Sequence, residues 1–514
     1  MKSQSYWLET ARLPKFPPLK RNLTVDVVVV GAGIVGVTAA YLLKQRGHRV
    51  ALLERRRCGG VDTGHTTAHL TCVTDSRLHS LVRTFGKDHA RAVWEAGLAS
   101  LDQIVANIRR EEIDCDFNWV PGYLHAAPKE SANARRGLMQ DSMLAQELGF
   151  DAEFLEAVPY FDVPGVKLQH QARFHPLKYL AGLLNRIPGK GSHVFEQTEA
   201  TQFSEEPRVV TAGGHKIRCA YVVLATHTPL MGNTALVPAT FLQSRLYPYT
   251  SYVLGAKMAK GLIPDALFWD TTEPYYYLRL DPQGRFDYLI FGGEDHKTGQ
   301  ASDTESVYRR LEGALSQRIP EARPTHRWSG QVIETNDGLP FMGETAERQF
   351  TITGCSGNGM TLGTIGALMA VDAFEHRKNP WSELFDPHRK KVRGGTWNYL
   401  RENRDYPYYL LRDWLGRPDG TSLRALKRNE GKILNLDGRK VAAYRDVKGH
   451  VTLRSPVCTH LKCIVGWNNA EKTWDCPCHG SRFTPTGEVL AGPAEANLEP
   501  IQQLTGNRKT EPKK

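Results

Sequence analysis

The sequence predicts an α/β domain built on a dinucleotide-type βαβ unit, with an inserted α+β region, followed by a small all-β domain. Three observations carry this. A continuous β-branched run near the N-terminus opens into a glycine-rich turn and a helix. Two further apolar runs, Tyr221–Ala225 and Phe350–Thr353, read as strands, the second running into another glycine-rich turn. Near the C-terminus, Cys and His residues gather in short segments that read as strands and loops.

A chain of 514 residues has room for two or three domains. Its 41% hydrophobic and 24% charged content is that of a soluble globular protein. No apolar run approaches the ~20 residues of a membrane helix. Met1–Trp7 shows neither an apolar core nor twin arginines, so a cytoplasmic protein with no transmembrane segment is expected. The cysteines are not those of a secreted disulfide framework: Cys58, Cys72, Cys115, Cys219 and Cys355 are scattered and read as buried free thiols. The net charge of +11 includes basic clusters at Arg55–Arg57, His388–Lys391 and Arg508–Lys514. None is interleaved with aromatics, so no nucleic-acid partner is expected. They read as solvated surface, with an anionic substrate or an acidic protein partner as the other reading.

Asp26–Val30 reads as a buried parallel strand. Gly31, Gly33 and Gly36 then form G-x-G-x-x-G: the first for a tight turn, the second for backbone approach to a pyrophosphate, the third for helix packing. The helix N-terminus favours phosphate charge. Gly47 ends that helix, Val50–Leu53 is the next strand, and Glu54 at its end is placed to accept from ribose hydroxyls, with Arg55 beside it as a further cofactor-binding candidate. This is a Rossmann-like unit.

Later segments point to FAD as the dinucleotide. They are the small polar run Thr63–Ala68, the Phe174-His175-Pro176 joint, the Tyr221–Thr226 strand ending in Ala-Thr, and Phe350–Ala367, a strand, glycine-rich turn and helix start. Their order resembles the D-amino-acid oxidase-like (DAO, glycine/sarcosine oxidase) flavoproteins over residues 24–390, as does the run Trp328–Gly330 with Thr335–Pro340. The resemblance implies that Thr66 and Thr67 line the flavin and that Gly354–Met360, with Gly357, Gly359 and Met360, contacts its ring. Some members attach FAD to a cysteine near this run; none lies between Cys219 and Cys355, so non-covalent FAD is expected.

The resemblance also implies a substrate domain in the insertions at about 75–175 and 230–330, with an antiparallel sheet over the flavin's open face. Within it, Tyr275–Arg279 as a strand would put Tyr275, Tyr277 and Arg279 on one face. Arg279 could then clamp a carboxylate and Tyr277 line an amine pocket; an ordinary strand with a snorkelling Arg is the other reading. His65 and His69, four apart on an expected helix start, offer a base near the flavin or merely polar contacts. The catalytic candidates are thus Arg279, Tyr277 and His65. Trp119 and Trp269 read as core more than pocket lining, and Asn336–Gly338 as a turn.

Residues 1–24 read as an N-terminal extension and 25–390 as the flavin domain. Residues 391–423 read as a connecting segment packed on one domain, because they are too aromatic for a free linker. Residues 424–503 form the small all-β domain and 504–514 a basic tail. In the small domain, C-T-H-L-K-C from Cys458 and C-P-C-H-G-S-R-F from Cys476 can hold a metal between two loops. Two Cys and two His also make a structural zinc set. Cys463, Cys478, the Cys476–Ser481 run and Gly492-Pro493-Ala494 favour an iron–sulfur centre, and the pattern resembles the Rieske [2Fe–2S] family. That resemblance implies Cys458 and Cys476 as thiolate ligands, His460 and His479 as imidazole ligands, and a Cys463–Cys478 disulfide clamping the loops. Ser481 keeps a hydroxyl that tunes the respiratory members, but Phe483 stands where they carry Tyr, so a lower potential is expected.

Together the resemblances imply an FAD- and [2Fe–2S]-dependent oxidoreductase. It would oxidise a small amine or amino acid at the C–N bond by hydride transfer and pass electrons singly through the cluster to an external one-electron acceptor. The alternatives are a flavin/Rieske reductase feeding a partner protein, and a 2-hydroxy-acid dehydrogenase on the same fold.

Overall fold

The computed structural model describes residues 1–127, 132–204, 208–230, 242–389, 401–403 and 405–501. The expected tail at 504–514 and residues 391–400 and 404 of the expected connecting segment lie outside the described residues. The chain divides into two compact units, one of Met1–Lys297 with Ser306–Asn403, the other of Thr298–Glu305 with Arg404–Lys514.

The first unit is built on a six-stranded sheet ordered Phe341–Ala346, Gln349–Thr353, Tyr221–Leu224, Val27–Val30, Val50–Leu53, His193–Phe195. All neighbours pair in parallel except the Phe341–Ala346 strand. The unbroken valine run suits this central place, because helices and loops cover both faces of a parallel strand. Gly31, at φ +98°, makes the turn that follows, and a Cβ there would lie 2.4 Å from the Ala225 carbonyl oxygen. A Cβ on Gly36 would lie 1.9 Å from the Gly31 oxygen. The Ile34–Gln45 helix therefore seats on its turn only with glycine at 36. The Gly359–Phe374 helix packs on it through Gly363, where a Cβ would lie 2.7 Å from Val35.

The inserted region forms a ten-stranded sheet. It runs Lys2–Ser3, Arg323–Thr335, Leu246–Met258, Asp287–Lys297, Tyr277–Pro282, Leu267–Asp270, Asn118–His125, Gly165–Arg173, His69–Leu70, with Ala152–Leu155 also on Gly165–Arg173. It reaches beyond the expected insertions, taking in Lys2–Ser3, His69–Leu70 and Arg323–Thr335. It is also not purely antiparallel: Leu267–Asp270 runs parallel to Gly122–His125, and Lys2–Ser3 parallel to His326–Arg327. Trp119, expected in the core, is 43% exposed on the Asn118–His125 strand, while Trp269 is half-buried against Gly122.

The N-terminal segment is part of this unit's core. Ser5 caps the short Tyr6–Thr10 helix by accepting the Trp7 N–H at 3.3 Å. Trp7 is fully buried and its indole donates to the Thr66 carbonyl at 2.7 Å. Tyr6 stacks on Tyr288 at 3.9 Å and donates to Asp281 at 2.9 Å.

The second unit holds a three-stranded sheet, Glu430–Leu436, Arg439–Arg445 and Val451–Arg454, and a four-stranded one, Gly466–Asn468, Thr473–Asp475, Arg482–Phe483 and Val489–Ala491. Neighbours are antiparallel throughout both. Its core gathers Trp474, Phe483, Val465, Leu498, Cys458, Cys463 and Cys476. Among the described residues no helix is long and apolar enough to cross a membrane.

Trp7→Ala removes a fully buried indole from beneath the Thr66 loop. We expect a loss of about 3–5 kcal/mol from the first unit, read as a lower denaturation midpoint followed by flavin fluorescence, with the absorbance of a bound cluster unchanged.

Candidate functional site

The glycine turn at Gly31–Gly36 faces the end of the Val50–Leu53 strand. Glu54 accepts the Ala32 N–H at 3.0 Å and the Arg56 N–H at 2.8 Å, and burial raises its pKa despite both. Thr63 accepts the Ile34 N–H at 3.0 Å, and a Cβ on Gly33 would lie 3.0 Å from that hydroxyl. Gly33 at the N-cap offers the Ile34–Gln45 helix no side-chain cap, and Thr63 reaches its first N–H instead. Arg55 is 3.5 Å from Glu199. A dinucleotide fits this cradle: glycines where a Cβ would collide with or crowd its neighbours, a helix N-terminus with glycine at its N-cap for phosphate, and an acid at the strand end for ribose.

A second glycine turn lies before the Gly359–Phe374 helix. Gly357 is exposed, a Cβ on Gly359 would meet nothing within 4 Å, and Met360 is buried behind them. The Gly357 N–H, expected to face a flavin, donates to Asp75 at 2.7 Å.

The Thr63–His69 run is not one helix. Asp62–His65 makes a single turn, Thr66 is extended, and Ala68 turns left-handed at φ +58°. His65 and His69 therefore share no helix face. The His65 ring bonds the Val61 carbonyl at 2.6 Å, and its own carbonyl accepts the Trp328 indole at 2.8 Å. His69 sits edge-on to Tyr277 at 5.8 Å and 3.3 Å from the Leu278 carbonyl; burial, then Arg279, push it down to about 3, so it is neutral. Thr66 accepts the Ala68 N–H at 3.0 Å, and Thr67 lies 3.2 Å from the His69 ring.

Arg279 departs from its expected role. It is fully buried and donates to the Ala68 and Phe174 carbonyls at 2.9 and 3.0 Å, with its guanidinium over the Trp7 ring at 5.2 Å. Burial lowers it to about 10, so it stays charged. The reason is that the Tyr277–Pro282 strand is covered on both faces, so the side chain has no open face to reach a substrate carboxylate.

Around Tyr277 the structure assembles a group that sequence reasoning missed. Ser251 donates to Asp295 at 2.6 Å and lies 2.6 Å from the Tyr277 hydroxyl. Tyr275 donates to Asp75 at 2.9 Å, and Tyr249 to Glu402 at 3.0 Å. Glu334 interacts electrostatically with Asp75, Asp295 and Glu402. Asp75 and Glu334 are exposed and Asp295 is half-buried, so solvent reaches this acidic cluster. The protein around them raises Asp75, lifts Asp295 to about 7 and lifts Glu334 to about 8, and their mutual repulsion adds to the last two. Glu402, against the effect of burial, is held below the usual range by Lys297 at 2.9 Å. The signal available was the charged run Glu294–Lys297 inside a strand that follows Gly292-Gly293.

In the second unit, His460 and His479 pack edge to face with ring centroids 4.9 Å apart, and burial pushes them down to about 4 and 3, leaving neutral imidazoles. Cys458 and Cys476 share a hydrogen bond that pulls Cys458 down and pushes Cys476 up. Cys463 and Cys478 are bonded at 2.18 Å. The sulfurs of Cys463, Cys476 and Cys478 lie within 4.8 Å of one another, and the disulfide leaves Cys476 of these three to bind metal. Adjacent thiols and neighbouring neutral imidazoles, clamped by a separate disulfide, fit a [2Fe–2S] cluster with two ligands of each kind. Ser481 hydrogen-bonds Cys458 and accepts the Ala494 N–H at 3.1 Å, while Phe483 is fully buried and offers no hydroxyl.

Comparison with known proteins agrees with both cofactors. The family model for FAD dependent oxidoreductases (DAO) matches residues 26–373, and that for the Rieske [2Fe-2S] domain residues 421–503. YhfW of Bacillus subtilis (strain 168), named as a Rieske 2Fe-2S iron-sulfur protein, is 34% identical over 98% of this chain and 97% of its own. The gamma-glutamylputrescine oxidoreductase of Escherichia coli (strain K12) is 25% identical over 80% of this chain and 99% of its own. The glycine oxidase of Geobacillus kaustophilus shares the fold, with a TM-score of 0.60 at 19% identity over 72% of this chain and 99% of that one. The chain belongs to the DAO family of FAD-dependent oxidoreductases and carries a C-terminal Rieske [2Fe–2S] domain.

Proposed function

We propose that this oxidoreductase acts on a small cationic amine, oxidising it at the C–N bond and delivering its electrons to an external one-electron acceptor. When bound, the flavin supplies a hydride acceptor for a C–H bond beside nitrogen, and the cluster a one-electron store. The observation that carries the substrate reading is the cluster of Asp75, Asp295 and Glu334 beside Tyr249, Tyr275 and Tyr277. Carboxylates offer an ammonium opposite charge, and tyrosine faces add cation–π attraction. A substrate carboxylate would meet like charge there, and Arg279 is committed elsewhere. This favours amines over α-amino acids, and equally over 2-hydroxy acids. The gamma-glutamylputrescine oxidoreductase among the relatives supports an amine substrate.

The test is anaerobic mixing of the FAD- and cluster-loaded protein with amines, amino acids, 2-hydroxy acids and NAD(P)H, following flavin bleaching and the reduced-cluster EPR signal. Amines should bleach the flavin fastest. NAD(P)H alone reducing both centres would instead support a reductase that feeds a partner.

Asp295→Asn should lower kcat/KM for amines by about 10- to 100-fold, about 1.4–2.7 kcal/mol. The pH dependence follows from the raised carboxylates. They are protonated below about 7 for Asp295 and about 8 for Glu334, and become anions above. An alkyl amine, ionising near 10 like lysine, stays cationic over that range. KM for the amine should therefore fall between pH 6 and about 8.5, less steeply in Asp295→Asn. Stability runs the other way. The folded state holds protons that the unfolded chain releases near 4, so the melting temperature of the amine-free protein should fall as pH rises from about 4 to 8. Asp295→Asn should reduce that fall.

Phe483→Tyr offers the cluster a hydroxyl beside Ser481. Hydrogen bonds to cluster sulfur favour the reduced state, so protein-film voltammetry should show a higher potential; an unchanged potential would mean the hydroxyl does not reach sulfur.

A further inference from the structure

The second unit contains eight residues from the middle of the chain. Thr298–Glu305 lies between the Asp287–Lys297 strand and the body of the Thr304–Arg318 helix, yet packs with the Rieske domain. We propose that Gly299 and Gln300 in this segment are positioning residues for the cluster, setting the conformation and local potential of the loop that carries Cys476 and His479.

Three contacts carry this. Gly299 has φ +81°, and a Cβ on it would lie 2.7 Å from the carbonyl carbon and oxygen of Cys476 and 2.8 Å from the Pro477 nitrogen. The two backbones touch at the peptide that follows a cluster ligand. Gln300 donates its side-chain N–H to the Pro477 carbonyl at 3.1 Å. Thr304 donates to Asn468 at 2.9 Å and accepts the Ala470 N–H at 3.1 Å. Asn468 in turn donates to Asp475, the neighbour of Cys476, at 2.8 Å. Asp475 is held further by the Thr473 hydroxyl at 2.7 Å and by Arg482 at 3.2 Å. The segment thus grips the Asp475–Pro477 stretch from both ends.

Groups that orient a ligand loop and point dipoles at a metal tune both geometry and potential. The Gln300 amide directs positive charge at the Pro477 carbonyl and so offsets negative potential beside the cluster. Gly299 allows the approach that makes this possible: alanine there would need a strained left-handed backbone and would force the Cys476–Pro477 peptide to move.

The test uses the full-length, cluster-loaded protein and reads the g-values of the reduced cluster, its midpoint potential, and the rate of iron loss to a ferrous chelator. Gln300→Ala should lower the potential, and Gln300→Glu, which sets a carboxylate against the carbonyl, should lower it further. Gly299→Ala should shift the g-values and lose iron several-fold faster. Gly313→Ala makes the same chemical change where an added Cβ would meet nothing beyond its own helix within 4 Å, and should match wild type. If Gly299→Ala does not accumulate folded, the Gln300 variants decide alone. Wild-type g-values and potential in both Gln300 variants would overturn the proposal, as would a Gly313→Ala protein indistinguishable from Gly299→Ala. None of these readings depends on which substrate reduces the flavin.

Discussion

Arg279 places a positive charge where no water reaches, and segments distant in sequence converge on it, although its Nη2 finds no hydrogen bond among the described residues. Its guanidinium takes the carbonyl of Ala68 from the loop beside the flavin turn, the carbonyl of Phe174 from the end of a sheet strand, and the ring of Trp7 from the N-terminal helix. Asp281, 3.6 Å away on the same strand, supplies a countercharge. Removing one partner of such a buried charge costs about 3–5 kcal/mol. Segments far apart in sequence are thereby fixed to one another. The left-handed turn at Ala68 is part of this arrangement, because it presents the carbonyl that Arg279 needs and brings His69 against Tyr277. A residue expected to hold substrate instead holds segments of the fold together.

The misreading of Arg279 shows where sequence reasoning stops. Alternation along Tyr275–Arg279 assigns side chains to faces, but cannot say which faces are open, and here both are covered. The dinucleotide turn was legible for the opposite reason. Gly31 and Gly36 are required by backbone approaches of 2.4 and 1.9 Å, a local constraint that leaves the same imprint wherever it occurs. The Rieske domain was legible because metal chemistry dictates residue type and spacing together. Asp75, Asp295 and Glu334 carry no such imprint. They come from a loop and two different strands, and only the folded sheet brings them together.

The same limit applies to the division of the chain. Composition suggested a small domain in one C-terminal stretch, and the compact unit also recruits Thr298–Glu305. Nothing in that segment's composition signals it, since Gly299 and Gln300 are ordinary loop residues. Their meaning appears only when the Gly299 backbone is found against Cys476. A glycine with φ +81° and no room for a Cβ is required by the tertiary structure, not by the local turn alone.

Charge acts differently on the scale of the whole molecule and on that of the acidic cluster. The chain carries +11 overall, so its long-range field is unfavourable for an approaching cation. That field is screened beyond about 8–10 Å at physiological ionic strength. Within the acidic cluster the surrounding protein and mutual repulsion raise Asp295 and Glu334, so fewer of these carboxylates are anions near neutral pH. Partial protonation spares the cluster the full repulsion of several adjacent anions. An acidic cluster in a basic protein is therefore no contradiction: partial protonation is what allows these carboxylates to sit together.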